Sequence, residues 1–261
     1  MNEPQKTALV TGAAGGLGLA IARRLAEDGL AVAVVDIDAA GAEKAAAGIA
    51  GGRGYGCDVT DEVAVGALLD SIERDFGACP DVLVNNAGIV RFGDLLEHSL
   101  ADFRKVLDVN LVGTFLMAQA VGRRMAVRGS GAIVNITSLN AVATSPDAGA
   151  YPASKAAVAK LTEQLALTLA PLGVRVNAVG PGFIDAGMSS PIYRDPEVKK
   201  TRGASVPAGR IGEAVEVANA VAFLASDQAS YIHGQHILVD GGVSFSLKKQ
   251  MPRKAPSKAE K

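Results

Sequence analysis

Apolar residues come along this chain in short β-branched runs, separated by longer Ala-rich stretches with helical spacing. Residues 6–11, 31–36, 54–58, 82–85, 132–137, 175–179 and 236–240 read as strands, most of them apolar on both faces. Helices are predicted at 17–28, 38–50, 62–76, within 101–128, at 151–170 and at 213–226. Gly29 stops the first and Gly51-Gly52 the second. Continuously apolar strands alternating with helices predict a parallel sheet with both faces covered. With no linker and no repeat, the economical architecture is one doubly wound α/β domain over 1–246, with a seven-stranded parallel sheet flanked by helices on both faces.

Two segments depart from the alternation. Residues 183–207 are weakly periodic, carry Pro191 and Pro196 and cluster charge, so they read as a loop placed where such folds keep their ligand loops. Residues 247–261 hold six basic residues against Glu260 alone, a formal +5 that leaves the rest of the chain at −6. This basic C-terminal tail reads as a solvated extension, with an arm docking on an acidic neighbouring subunit as the rival.

Composition narrows the classes of function. The 261 residues are 49% hydrophobic and 20% charged with net charge −1, which argues against both disorder and a basic nucleic-acid binder. Trp is absent and aromatics are 4%, too few for base-stacking platforms. No apolar run approaches the ~20 residues of a membrane span. The polar start Met1–Lys6 lacks a leader's apolar stretch, so the expected location is cytoplasmic. Cys57 and Cys79 make neither a disulfide framework nor, without a His cluster, a metal site.

The first predicted strand runs into Thr11-Gly12-Ala13-Ala14-Gly15-Gly16-Leu17-Gly18 and then directly into a helix. Glycines there allow a tight turn and let backbone N–H groups approach a pyrophosphate. Asp36 ends the second strand, 18 positions beyond Gly18, where a carboxylate accepts from both adenosine ribose hydroxyls and repels a 2′-phosphate. With no Arg or Lys in the loop or at the two positions after Asp36, the expected cofactor is NAD. The glycines fit GxxxGxG through Gly12, Gly16 and Gly18 and equally GxxGxxG through Gly12, Gly15 and Gly18, so the loop alone does not choose between two dehydrogenase branches.

Tyr151-Pro152-Ala153-Ser154-Lys155 sets Tyr151 and Lys155 on one helix face. The reference Tyr pKa of ~10 makes a poor acid–base group. An ammonium and a positive nicotinamide nearby are expected to lower it. Ser138, 13 residues upstream, ends a strand at the same sheet edge as the glycine loop and can donate to a substrate oxygen. Asn85-Asn86-Ala87-Gly88 ends another strand there, and Asn110 sits in a helix.

As a set, TGAAGGLG, CDVT, NNAG, Val109-Asn110, ITS, YPASK, RVNAVGPG and VDGG resemble the short-chain dehydrogenase/reductase family over residues 6–242. The Ser138–Tyr151 separation, NNAG and the length place the resemblance in the compact branch, with a Rossmann-type domain. The resemblance implies Tyr151 as general acid–base and Lys155 as ribose ligand tuning it. Ser138 would orient the reacting oxygen, and Asn110 would hold a water in a relay toward Lys155. It further implies cofactor contacts from Gly12, Gly15, Gly16, Leu17 and Gly18, from Asp36 and Ile37, and from Asp58 and Val59 at the adenine. Asn86, Ala87 and Gly88 would line the groove, and Pro181, Gly182 and Ile184 would pass the nicotinamide. Where the family often has Thr after PGxIx, this chain has Ala186, which removes one hydroxyl from the cofactor site.

The activity implied is NAD-dependent interconversion of a secondary alcohol and a ketone on a small-molecule substrate, with a homotetramer as the expected assembly. The alternatives are a 3-oxoacyl-thioester reductase, against which Gly15 and Asp36 argue, a sugar or polyol dehydrogenase, and a dinucleotide-sensing protein without turnover. Substrate walls are expected from Ser138, Asn140, Ala141, Ala148, Phe183 and the loop 186–206. Asn140 reads either as a turn residue bonding its own backbone or as a polar substrate contact.

Overall fold

The computed structural model describes residues 5–246, so the basic tail lies outside the described residues. The first half runs β1 (Thr7–Thr11), α1 (Gly16–Glu27), β2 (Ala31–Asp36), α2 (Ala39–Ala46), β3 (Gly52–Gly56), α3 (Glu62–Phe76) and β4 (Val82–Asn85). The second runs α4 (Leu100–Leu107), α5 (Gly113–Arg128), β5 (Gly131–Ile136), α6 (Tyr151–Leu169), β6 (Val174–Pro181), α7 (Pro196–Ser205), α8 (Ala214–Ala225) and β7 (His236–Val239). The strands form one sheet in the order β3-β2-β1-β4-β5-β6-β7, every pairing parallel. Winding reverses between β1 and β4, which opens a crevice at the carboxyl ends of the strands.

The pleat sorts the apolar residues into two layers. Ala8 and Val10 of β1 face Ile21 and Leu25 of α1 and Val217 and Val221 of α8. Leu9, between them, faces the opposite layer with Leu69 and Ile72 of α3 and Met117 and Val121 of α5. Each such fully buried side chain contributes about 1.5–3 kcal/mol, and this two-sided burial is what reads as continuous apolar strands.

Helix starts follow from capping. Asp38, Asp61, Ser99 and Asp195 each accept a hydrogen bond from a first-turn N–H. Most bounds fall within two residues of prediction, and three stretches differ by more. The helix predicted at 38–50 ends at Ala46, where Gly48 and the turn at Ile49 divert the chain toward β3. The stretch 101–128 breaks at Asp108–Val112 into a π-helical turn between α4 and α5. The segment 183–207 holds α7, whose polar sequence hides helical periodicity but whose Asp195-Pro196 start is a cap followed by a first-turn proline.

Two polar devices lock the layers. Asn85 Nδ2 of β4 donates to Asn135 Oδ1 of β5 at 2.9 Å, and Asn135 Nδ2 donates to Thr162 Oγ1 of α6 at 2.9 Å, all three residues buried. Arg175 of β6 donates to the carbonyls of Leu224, Ala225, Ser226 and Ala229, closing the C-terminus of α8 with a cation. Arg175→Met keeps the volume and removes all four bonds. It should cost about 2–4 kcal/mol in denaturant unfolding. A loss below about 0.5 kcal/mol would show that the carbonyls find other partners.

Candidate active site

One cleft of about 1200 Å³ runs along the carboxyl edge of the sheet. Every sequence-predicted site residue borders it except Asn110 and Ala141. At the β1 end, Gly12 has φ of 63°, and a Cβ there would lie 2.8 Å from Ala87 Cα, so only glycine lets the loop touch the chain leaving β4. Gly15 faces open space. It precedes α1 with no side chain capping the helix, leaving first-turn N–H groups for an anion. Thr11 holds this corner together, since its Oγ1 accepts from Asn86 N and Ala87 N, both at 3.0 Å. Asn86 Nδ2 donates to the Thr11 and Gly12 carbonyls, so its amide supports the glycine loop rather than reaching into the cleft.

Asp36 ends β2 with Oδ2 accepting from Ala14 N and Oδ1 from Asp38 N, which leaves lone pairs on both oxygens facing a diol. Ile37, 73% exposed, and Val59 form apolar flanks for a ring. Thr60 donates twice to Asp58 Oδ1 and holds that carboxyl below its usual range. Lys105 of α4, which the sequence reading did not single out, borders the cleft and acts on Asp58 from the other side. A glycine-lined anion cradle with a carboxylate one strand away fits a dinucleotide.

At the β5 end, Ser138 Oγ accepts from Asn140 N at 3.1 Å, so its own proton is free to be donated. The Tyr151 hydroxyl bonds the Ser138 side chain. Lys155 is buried, donates to the Ile136 carbonyl at 2.8 Å and stands 5.7 Å from the Tyr151 ring centroid. Burial pushes the Lys155 ammonium down to about 8 and pushes the Tyr151 phenol up, with the Ser138 bond opposing the latter. Within the protein itself desolvation of the phenolate outweighs what Ser138 returns, and the lowering expected above includes the positive nicotinamide.

Asn110 is fully buried behind the cleft wall. Its side chain accepts from Ile89 N, donates to Ile89 O and donates to Ser154 Oγ, binding the π turn to the chain after β4 and to the first turn of α6. The amide therefore positions these segments with both of its protons and one Oδ1 lone pair. Ala141 lies off the cleft, while Asn140 and Ala148 border it. Asn140's backbone N–H is held by Ser138, which forms the turn and leaves the Asn140 side chain out of it. Ala186 borders the cleft and packs on the core, and Ser189, whose N–H donates to the Ala186 carbonyl, borders it too. Missed by the sequence reading were Val90, Arg91 and Phe92 on one rim; the expected wall 186–206 does reach the cleft, through residues that include Tyr193 and Arg202.

Comparison with known proteins finds likenesses over most of the chain. Residues 12–244 match the family described as enoyl-(acyl carrier protein) reductase. D-threitol dehydrogenase of Mycolicibacterium smegmatis is 42% identical over 247 residues, covering 92% of this chain and 93% of that protein. Cis-4-hydroxycyclohexanecarboxylate dehydrogenase of Sinomonas cyclohexanicum is 44% identical over 243 residues, covering 91% and 96%. The NAD+-bound crystal structure of xylitol dehydrogenase superposes with a TM-score of 0.85 at 39% identity, covering 92% of this chain and all of that one.

Burying the Lys155 ammonium has a signature in stability. Below pH 8 folded and unfolded chains both carry the proton, and the cost is complete. Between pH 8 and about 10.5 the unfolded chain binds more protons, so stability rises with pH until the cost is gone. Relative to Lys155→Met, the cofactor-free wild type should gain about 2–3 kcal/mol from pH 7 to pH 10 in denaturant titrations. A flat difference would mean that Lys155 keeps an ordinary pKa.

Proposed function

The chain belongs to the short-chain dehydrogenase/reductase family and interconverts a secondary alcohol and a ketone by hydride transfer with a nicotinamide cofactor; we propose that it prefers NAD and uses Tyr151 as its general acid–base. The observation that carries this reading is one cleft with the Ser138–Tyr151–Lys155 cluster at one end and the Asp36 carboxylate at the other. When bound, the oxidised nicotinamide supplies the hydride acceptor and a positive charge.

In the oxidative direction Ser138 donates its proton to the substrate oxygen and holds it beside Tyr151. The Tyr151 phenolate takes the hydroxyl proton as the hydride leaves carbon. In reduction Tyr151 returns that proton to the forming alkoxide. Lys155 keeps a cation under the Tyr151 ring and offers its remaining protons to a ribose hydroxyl. The Ile136 carbonyl holds it there. Asn140 N–H orients the Ser138 hydroxyl so that donation is its open role. A 2′-phosphate on the adenosine ribose would bring negative charge against Asp36, while open space at Gly15 offers no basic side chain to receive it. We read the substrate as a modest-sized hydroxylated molecule, a class found among the relatives, which also include 3-oxoacyl-[acyl-carrier-protein] reductases.

Tyr151→Phe should lower kcat by about 10²–10⁴ while NAD still binds, because it removes a proton-transfer oxygen and little packing. A residual kcat above a tenth of wild type would exclude Tyr151 as the acid–base. NAD should bind at least ~10-fold tighter than NADP in fluorescence titrations of the reduced forms, and Asp36→Ala should narrow the gap. Equal affinities in the wild type would overturn the cofactor assignment.

A further inference from the structure

Arg202, in the last turn of α7, holds its guanidinium over two rings of the cleft wall. It stands 5.8 Å from the Phe183 centroid and 5.9 Å from that of Tyr193. Tyr193 is buried, and Phe183 follows directly on Pro181-Gly182, so both rings are anchored and the cation is held in place rather than swinging in solvent. Arg202 borders the cleft yet remains exposed.

Two neighbouring cations have carboxylate partners of their own. Lys199, on the same helix, pairs with Asp185 at 2.7 Å. Arg91, on the opposite rim, pairs with Asp102 at 3.7 Å. Among the described residues no carboxylate comes within 4.0 Å of Arg202. The acidic residues that border the cleft are Asp36 and Asp58, both at the adenosine end. The substrate end therefore combines apolar wall positions, including Ala148, Met188 and Ile192, with the neutral polar side chains of Asn140, Thr144 and Ser189 and a guanidinium without a carboxylate partner.

We infer that Arg202 is a specificity-determining residue that receives an anionic group on the substrate, which makes the substrate a hydroxy acid or oxo acid with a carboxylate on the side away from the reacting carbon. This inference rests on the oxidoreductase reading of the same cleft. A planar guanidinium fork matches a carboxylate with two parallel hydrogen bonds, which a ring-stacked Arg can form without first ordering its side chain. The apolar walls suit the hydrocarbon that joins carboxylate to carbinol. A neutral ester of the same shape would lose both hydrogen bonds and leave the cation facing apolar surface.

The test uses matched pairs: 3-hydroxybutyrate and 4-hydroxycyclohexanecarboxylate, each against its methyl ester, assayed with NAD by nicotinamide absorbance. For the better pair, the wild type should prefer the acid by about tenfold or more in kcat/KM. Arg202→Gln should erase that preference chiefly through KM, and Arg202→Lys should keep part of it. Acid and ester turned over alike by the wild type, or a preference unchanged in Arg202→Gln at equal thermal stability, would overturn the inference. Calorimetry with NAD present decides it independently of turnover. Cyclohexanecarboxylate should bind the wild type more tightly than cyclohexanecarboxamide and lose that advantage in Arg202→Gln, and equal binding of the two by the wild type overturns the anion site. An enzyme that turned over none of the four alcohols yet bound the carboxylate in this way would retain the anion site and count against the oxidoreductase reading.

Discussion

The amide of Asn135 lies inside the sheet, bound on one side to Asn85 and on the other to Thr162. A buried amide stripped of these partners would cost about 1–3 kcal/mol per lost group, so β4, β5 and α6 are held in a single relative rotation. That rotation directs Tyr151 and Lys155 toward the end of β5, where the Ile136 carbonyl takes the ammonium. It also brings Ser154 to Asn110, which binds the π turn and the chain beyond β4. The apolar layers supply most of the burial energy, but they would tolerate a helix turned by several degrees. The polar stitch would not.

Charge is distributed along the cleft with a polarity. Carboxylates gather where an adenosine diol is to be held, a buried ammonium sits at the centre, and the aromatic-backed guanidinium lies beyond it. Each cation is fixed by a different means. Lys155 is gripped by a carbonyl and loses solvation, so its proton is weakly held. Arg202 keeps its solvent exposure and takes its orientation from two rings. The first arrangement suits tuning a neighbour's protonation, the second recognising a permanent anion.

Much of this was readable from residues alone. The strands 31–36 and 82–85 and the helix 62–76 have the bounds their apolar spacing predicts, because burial on both sheet faces leaves an uninterrupted β-branched run. Ser138, Tyr151 and Lys155 were legible because strand end and helix face fix where their side chains go. What escaped was set by tertiary contacts. Thr11 looks like an ordinary strand-end hydroxyl until β4 is placed beside β1. For Asn110, expected to hold a water, the residues alone did not show that three segments pack around it and share its amide. Helix α7 lacks an apolar stripe, so the segment that presents Arg202 carried no periodic signal. The depth of Tyr151 was not legible either, and depth sets the desolvation that raises its pKa in the protein itself.

The π turn at Asp108–Val112 puts α4 and α5 out of phase with one another. A regular helix advances about 100° per residue, so a chain one residue shorter here would run on smoothly and swing position 110 out of the interior. Local helix preference would welcome that deletion, and the wall around Ile89 would lose the amide that now binds both its N–H and its carbonyl. Length between Leu107 and Gly113 is therefore under tighter constraint than residue identity along most of either helix. Natural drift in this region should proceed by substitution, with insertions and deletions displaced to loops away from the cleft.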